Sequence, residues 1–186
     1  MVGFEVKEDE KRIFLALSPS KRYRDNVLTI VKEIQKKGLR IIFISINQPS
    51  AFITGLFEKN GIDMSTIFFI DGITRYAGGP ITADPGTCRF VSKPGDLTAM
   101  SMAVTDILKM ENVGRTVIFL DSVNAMLIYT SSVDLSKFIH FVISKLRILN
   151  ISGIFLAVEK GLDPVLMSQL MTFADELIEF PDDQNP

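Results

Sequence analysis

The residues of this chain that are best suited to chemistry come directly after short apolar runs. They stand at five places: Ser18-Pro19-Ser20-Lys21, Asn47-Gln48-Pro49, Asp71-Gly72, Asp121-Ser122 and Glu159-Lys160. The carboxylates of Asp121 and Glu159 could together hold a cation. The basic run of Lys21, Arg22 and Arg24 could attract an anion. These groups can act together only if the runs before them are strands that end at the same edge of one sheet.

The apolar runs predict buried strands. Five are almost continuously apolar, and a sixth alternates like an edge strand: 13–17, 41–46, 67–70, 117–120, 154–158 and 177–180. Parallel strands have this pattern because helices cover both faces of their sheet. Segments with helical spacing lie between the runs. Their order predicts a three-layer αβα fold around an open, mostly parallel sheet of about six strands. Ligands of such sheets bind beyond the carboxyl ends of the strands.

Glycine, aspartate and proline mark the expected helix boundaries. Gly38 and Gly61 suit helix ends, Asp96 and Asp134 suit N-caps, and Asp163-Pro164 suits a cap followed by proline at the first helical position. We expect one domain over residues 1–181 and a disordered tail over 182–186. Residues 72–95 contain five Gly and three Pro, so this insertion predicts a functional or mobile loop that could hide a small hairpin.

The run that ends in Asp121 has the form of a Walker B strand. Four apolar residues precede the carboxylate in Thr116-Val117-Ile118-Phe119-Leu120-Asp121-Ser122. In that motif the carboxylate holds the magnesium ion of a bound nucleotide. A polar residue also ends many buried strands merely as a cap for the next turn, so the motif alone leaves both interpretations open.

The chain resembles the RecA-like ATPases and, within them, the KaiC-like family, over residues 13–180. Four segments carry the resemblance: KKGLRIIFISINQPSAFITGLFEKNGID, TVIFLDSVNAML, SGIFLAVEKG and FADELIEF. They are similar to the family's second strand and helix, its Walker B strand, its next strand ending in Glu, and its last strand. The resemblance implies that the strand ending at Glu159 lies between the first strand and the strand ending at Asp121.

The resemblance also implies a nucleotide site that could hold ATP or ADP with magnesium, whereas the residues themselves establish no cofactor. The residues at the corresponding positions are Ser18, Ser20, Lys21, Arg22, Asp121, Ser122 and Glu159, and Asp121 would be the magnesium ligand. A phosphate-binding loop needs glycines so that its N–H groups can surround the phosphates. Here no glycine stands between Gly3 and Gly38, and no Gly-Lys-Ser/Thr occurs. Pro19 removes a further donor. We therefore interpret the stretch as a degenerate Walker A motif.

The second strand departs from the family pattern as well. KaiC-like ATPases end this strand in acidic residues, one of which activates the attacking water, whereas this chain has Asn47-Gln48. An amide does not accept a proton at neutral pH, so a general base that contributes roughly 10²–10⁴ in rate is missing. The sequence predicts no catalytic residue at this position.

Three functions remain open. The first is a non-hydrolysing RecA/KaiC-like domain that acts as a regulatory or protein-interaction module and associates with a protein partner or with itself. The second is an ATP-binding protein or ATPase with an atypical phosphate loop, in which Lys21 replaces the usual lysine. The third is a phosphoacceptor at Asp71 or Asp121, which would need an acidic cluster where Ser18-Pro19-Ser20 stands.

The composition excludes several other classes. The 186 residues carry 20 basic and 22 acidic side chains, for a net charge of −2, so nucleic acid is not an expected partner. No apolar run approaches the ~20 residues that span a bilayer. With one Cys and one His, neither a disulfide nor a zinc cluster can form, and a cytoplasmic location is expected.

Some conspicuous residues are expected to be structural. His140 falls on the polar face of its helix, and methionines such as Met100, Met102 and Met126 are expected to fill the core, with a protein-binding surface as the alternative. Ser131 and Ser132 have no histidine beside them in the sequence to act as a base. Cys88 would be reactive only if it were exposed.

Overall fold

A computed structural model describes residues 11–82, 86–109, 115–158 and 160–182. Its seven strands are β1 (Ile13–Ser18), β2 (Arg40–Ser45), β3 (Ile67–Asp71), β4 (Cys88–Phe90), β5 (Thr116–Asp121), β6 (Ser152–Val158) and β7 (Glu176–Glu179). They form one open sheet in the order β4-β3-β2-β5-β6-β1-β7. Every neighbouring pair is parallel, which confirms the predicted α/β sheet. β6 lies between β1 and β5, as the resemblance implied.

Helices cover both faces of the sheet. α1 (Tyr23–Lys36) and α2 (Ser50–Lys59) lie on one face, and α3 (Leu97–Leu108), α4 (Val123–Met126), α5 (Ser132–Leu149) and α6 (Pro164–Phe173) lie on the other. Each face has its own apolar cluster, which we call the α1–α2 core and the α3–α6 core. The strands β1, β3 and β5 are buried at every residue. Their continuous apolar runs follow from this two-sided burial.

The helix boundaries match the sequence predictions except at α5. Gly38 and Gly61 have positive φ angles of 68° and 69°, and Asp96 and Asp163 cap α3 and α6. The prediction that Asp134 is an N-cap was wrong. Ser131 caps α5 by accepting a hydrogen bond from the Asp134 N–H at 3.1 Å. Serine is as good a cap as aspartate, and the residue at 131 stands one turn earlier.

The segment rich in glycine and proline contributes β4, a short strand that pairs in parallel with β3. The sheet therefore gains a seventh strand, and the suggested hairpin is not seen among the described residues of this segment. Of the predicted tail, residues 183–186 lie outside the described residues. None of the described helices is both long enough and apolar enough to cross a membrane.

Candidate functional site

The carboxyl edge of the sheet carries three polar side chains on neighbouring strands. Ser45, the last residue of β2, pairs in register with Asp71 of β3 and with Asp121 of β5. Two positions earlier, Phe43 and Phe119 pack in the α1–α2 core. Because side chains alternate along a strand, the three polar groups face α1 and α2 as well. All three are buried.

Asp121 is bound by a residue of α1. The hydroxyl of Tyr23, the first residue of that helix, donates a hydrogen bond to the Asp121 carboxylate. Burial raises the pKa of Asp121 to about 6, although the Tyr23 bond opposes the shift. Burial and the neighbouring carboxylate also raise the pKa of the Tyr23 phenol well above its ordinary value. The phenol therefore remains a neutral donor at physiological pH.

Tyr23 is the functional residue that the sequence analysis missed. It stands five positions after the end of β1 and was not among the predicted site residues. The signal was its position at the start of α1, which places its side chain over the carboxyl ends of β2 and β5. A buried carboxylate needs a donor, and the α1 side chain nearest to Asp121 supplies it.

The first loop consists of a buried serine followed by a short turn. Ser18 is fully buried, accepts a hydrogen bond from the Asn26 amide at 2.8 Å and donates to the Pro19 carbonyl at 3.1 Å. Ser20, Lys21 and Arg22 form one 3-10 turn closed by the Arg22 N–H on the Pro19 carbonyl at 3.1 Å. The backbone bonds of this turn are thus made within the loop itself: the Arg22 N–H donates to Pro19, and the Tyr23 N–H donates to the Ser20 carbonyl.

Lys21 lines a cavity together with a second lysine, Lys160. A cavity of about 160 Å³ at the carboxyl ends of β1 and β6 is lined by Ser20, Lys21, Val158, Lys160 and Asp182, together with Pro19. Arg22 turns instead toward Asp25, with 3.9 Å between the charged atoms. Glu159, the second predicted carboxylate, lies outside the described residues. Of the predicted cations, only Lys21 therefore lines this cavity, beside a lysine that was not predicted to belong to the site.

The remaining predicted site residue, Ser122, serves a structural purpose. It is 3% exposed, and its hydroxyl oxygen caps α4 by accepting a hydrogen bond from the Ala125 N–H at 3.2 Å. The preceding peptide bond is cis. Ser122 is adjacent to Asp121 in the chain, and its side chain also interacts with the Tyr23 phenol, which lowers the pKa of that phenol against the larger effect of burial.

Asn47 and Gln48 lie beside Asp121, where the sequence analysis placed them. Both line a small cavity of about 50 Å³ together with Tyr23, Phe52 and Asp121. Arg24 of α1 lines the cavity as well, so a carboxylate, a phenol, two amides and a guanidinium surround the same small space.

Asp71 shows the opposite environment to Asp121. Its carboxylate accepts hydrogen bonds from the N–H groups of Ser50, Ile73 and Thr74 and from the Thr74 hydroxyl, at 2.6–2.9 Å. Burial alone would raise the pKa of Asp71, but the bonds from Ser50 and Thr74 outweigh it and hold the pKa below its ordinary value. These bonds fasten the start of α2 and the loop after β3. They leave no oxygen for the suggested phosphoacceptor role.

Ser45 stands between these two carboxylates without a partner. Its hydroxyl is fully buried and makes no hydrogen bond in the described part of the chain. An unsatisfied buried hydroxyl costs free energy. Of the three polar side chains at this edge, Ser45 is therefore the one whose hydrogen-bonding capacity is unsatisfied among the described residues.

Of the other conspicuous side chains, His140, Cys88 and Met100 behave as the sequence indicated, and the prediction that Met102 fills the core was wrong. His140 is exposed and contacts the Phe173 ring with centroids 5.0 Å apart. Cys88 is buried, its sulfur lies 3.7 Å from the Ser50 hydroxyl oxygen, and burial raises its pKa to about 11, so it is an unreactive thiol. Met100 is in the core as expected, whereas Met102 and Met171 are 62% and 51% exposed.

Comparisons with known proteins support the fold. The chain matches an uncharacterised protein of Pyrococcus horikoshii, solved in complex with an unknown peptide, with a TM-score of 0.72 and 13% identity over 97% of this chain and 81% of that one. It also matches a KaiC-like protein of Pyrococcus horikoshii OT3 with a TM-score of 0.62 and 10% identity over 95% and 75% of the two chains. No family model and no curated protein sequence matches. The chain therefore has the α/β fold of KaiC-like, RecA-type structures.

Proposed function

We propose that this chain is a RecA/KaiC-like domain without nucleotide turnover that works as a regulatory or protein-interaction module. The bond from the Tyr23 hydroxyl to Asp121 carries the proposal. It occupies the carboxylate that the Walker B pattern would give to magnesium. In this proposal residues 17–26 are a degenerate Walker A motif, in which a closed 3-10 turn stands where a glycine loop would hold phosphates.

The residues present do not fit a resident magnesium ion. Magnesium takes oxygen ligands in octahedral geometry and usually needs one or two carboxylates. Asp121 is 5% exposed and bonded to a phenol, and the Ser122 oxygen caps α4. Among the described residues, no three His, Cys, Asp or Glu side chains gather as a metal-binding group. The ion would have to displace Tyr23 and open the α1 contact.

A protein partner is the second part of the proposal. The Pyrococcus horikoshii protein solved with an unknown peptide has the same fold, which supports peptide binding as a use of this fold. Apolar side chains such as Ile128, Val133 and Val165 are 62–75% exposed, which supports contact with a partner or with a second copy. The acidic balance of the sequence favours protein over nucleic acid, and the lone cysteine favours a reducing, cytoplasmic compartment.

Thermal denaturation with millimolar MgATP and MgADP tests the nucleotide part. A ligand at 100 times its Kd adds about 2.7 kcal/mol to the free energy of unfolding. We expect no shift in the melting temperature and no phosphate release. A shift that is lost in Asp121→Asn, with Lys59→Ala as a surface control, would contradict the proposal.

The alternative is an ATP-binding protein with an atypical phosphate loop. One observation favours it: Lys21 and Lys160 line the same cavity at the carboxyl ends of β1 and β6. Lys21 precedes α1 and Lys160 follows β6, and the two cations outnumber the one carboxylate of the cavity, Asp182, which favours an anion. This alternative predicts a nucleotide-induced stabilisation that disappears in Lys21→Ala and Lys160→Ala, whether or not turnover occurs.

A further inference from the structure

The far edge of the sheet holds a cavity that the nucleotide question does not use. About 330 Å³ of space opens between α2 and the strands β3 and β4, at the lower end of the ~300–1,000 Å³ of ligand sites. Ala51 and Thr54 of α2, Phe69 of β3, and Cys88 and Phe90 of β4 line it. None of the described residues around it is charged. The cavity therefore suits an uncharged, mainly apolar group.

The strand beside this cavity has a free backbone edge. β4 is the last strand on its side of the sheet. The Phe69 N–H donates to the Thr87 carbonyl at 2.9 Å, and the Val91 N–H donates to the Asp71 carbonyl at 2.8 Å. Because backbone groups alternate along a strand, the N–H and C=O groups of Cys88 and Phe90 point away from β3. No described residue hydrogen-bonds to these outward groups.

We propose that β4 and the cavity bind an extended peptide segment of a partner protein. The segment lies beside β4 and pairs with the outward groups of Cys88 and Phe90. One large apolar side chain of the segment enters the cavity between α2 and β4. Main-chain bonds at a free edge supply affinity, and a cavity that takes every second side chain supplies specificity. A small apolar ligand would use the cavity and leave the edge donors unpaired.

Arg89 adds a charge preference to the same surface. Cys88 and Phe90 face the cavity, so Arg89 between them faces the opposite side of the sheet, where it is exposed. It forms no ion pair with a described residue. In a peptide segment paired with β4, the residues directly before and after the apolar residue point to the opposite face of the sheet, on the same side as Arg89. The partner segment therefore carries a large apolar residue next to an aspartate or glutamate.

This inference rests on the protein-binding part of the proposed function and is independent of the nucleotide part. A nucleotide-induced stabilisation would overturn the first proposal and leave this surface unaffected. Failure of peptide binding would overturn the inference and leave the Tyr23–Asp121 observation intact.

Phage-displayed random dodecapeptides, panned against the full chain, test the inference. We expect enriched sequences in which Phe, Leu, Ile or Met stands beside Asp or Glu. The consensus peptide, labelled with a fluorophore, should bind the native protein and lose at least tenfold in affinity to Ala51→Trp, which fills the mouth of the cavity from an exposed position. Lys59→Trp, at the exposed end of the same helix, is the matched control and should change affinity by less than twofold. Panning against Arg89→Glu should select lysine or arginine in place of the acid.

Other outcomes overturn the proposal. Absence of enrichment above the starting library excludes a peptide segment at this surface. Peptides that bind Ala51→Trp as tightly as the native chain use another surface. A dimer in sedimentation that Ala51→Trp dissociates would assign the surface to a second copy. Enrichment that needs removal of residues 1–10 would assign it to the chain's own N-terminal segment.

Discussion

Asp71 and Asp121 hold equivalent places in the sheet and have opposite environments. Each ends a strand next to β2, and each pairs in register with Ser45. Asp71 accepts four hydrogen bonds from the start of α2 and from the loop after β3, and its pKa is lowered. Asp121 is bonded to the Tyr23 phenol, and its pKa is raised to about 6. The hydrogen bonds decide whether a buried carboxylate is stable as an anion.

Because of this difference in environment, ionised Asp71 stabilises the folded state, whereas ionised Asp121 destabilises it. The folded state favours ionised Asp71, so its contribution is present above its ordinary pKa and is lost as the pH falls below that value. The folded state disfavours ionised Asp121, so its charge opposes folding once the pH exceeds its ordinary pKa. A carboxylate kept at such a cost is typical of a functional site or of a site that has lost its ligand.

The largest expected effect is at Asp71. Asp71→Ala leaves three backbone N–H groups and one hydroxyl without their acceptor, and each buried donor without a partner costs roughly 1–3 kcal/mol. We expect the free energy of unfolding in urea to fall by roughly 3–5 kcal/mol, because the neighbours relax only in part. Asp63→Ala, which removes an exposed cap, is the control and should have a much smaller effect. Equal losses in the two variants would contradict the structural role of Asp71.

The second largest change is expected at Asp121, where a substitution should raise the free energy of unfolding instead of lowering it. Its pKa of about 6 lies about two units above the ordinary value of 3.8, and each unit corresponds to about 1.4 kcal/mol. Asp121→Asn should therefore stabilise the protein by up to about 3 kcal/mol at pH 7.5. The gain should shrink through the window from pH 6 to pH 4, because the native carboxyl becomes neutral there. Urea denaturation of both proteins across this range measures it, and a less stable variant at pH 7.5 would refute the assignment.

A smaller loss is expected when the phenol alone is changed. Tyr23→Phe keeps the ring and removes the donor, and hydrogen bonds to charged groups contribute about 1.5–3 kcal/mol. We expect a loss of about 2 kcal/mol at pH 7.5 and a further rise in the pKa of Asp121. Carbon-detected NMR titration of the Asp121 carboxyl would show the rise. An unchanged pKa would mean that the hydroxyl does not hold this carboxylate.

The smallest expected changes in stability concern Ser45 and Ser18, two buried serines at strand ends. Ser45 has no hydrogen-bond partner among the residues that the structure describes, whereas Ser18 accepts a hydrogen bond from Asn26. Ser45→Ala should leave the stability unchanged or raise it by up to about 1 kcal/mol, because it removes an unsatisfied hydroxyl. Ser18→Ala should lower the stability by about 1 kcal/mol. Thermal denaturation compares the two, and equal losses would place a partner on Ser45.

The sheet and its layers could be predicted because strands that are buried on both faces have continuous apolar sequences. The runs over 13–17 and 117–120 became β1 and β5 almost to the residue. β4 could not be predicted, because its three residues, Cys88, Arg89 and Phe90, show no period of their own. Their pairing with β3 depends on the end of that strand and not on local propensity.

The candidate site was predicted only in its strand-end residues. Asp121, Asn47 and Gln48 could be placed because every parallel strand ends at the same edge. The bond from Tyr23 could not, because it depends on how α1 packs across the sheet. The opposite environments of Asp71 and Asp121 could not be predicted from the sequence either, because both residues follow an apolar run in the same way. Side-chain partners that come from other elements are set by tertiary packing.

The strand order has a consequence for how the chain is made. β1 precedes the other six strands in the sequence, yet both of its neighbours, β6 and β7, are the last two of the seven. Arg12 and Ser152, which are hydrogen-bonded at this junction, stand 140 positions apart. During synthesis β1 must therefore wait for its permanent neighbours until both distant strands have been made, which favours slow folding and protection by chaperones.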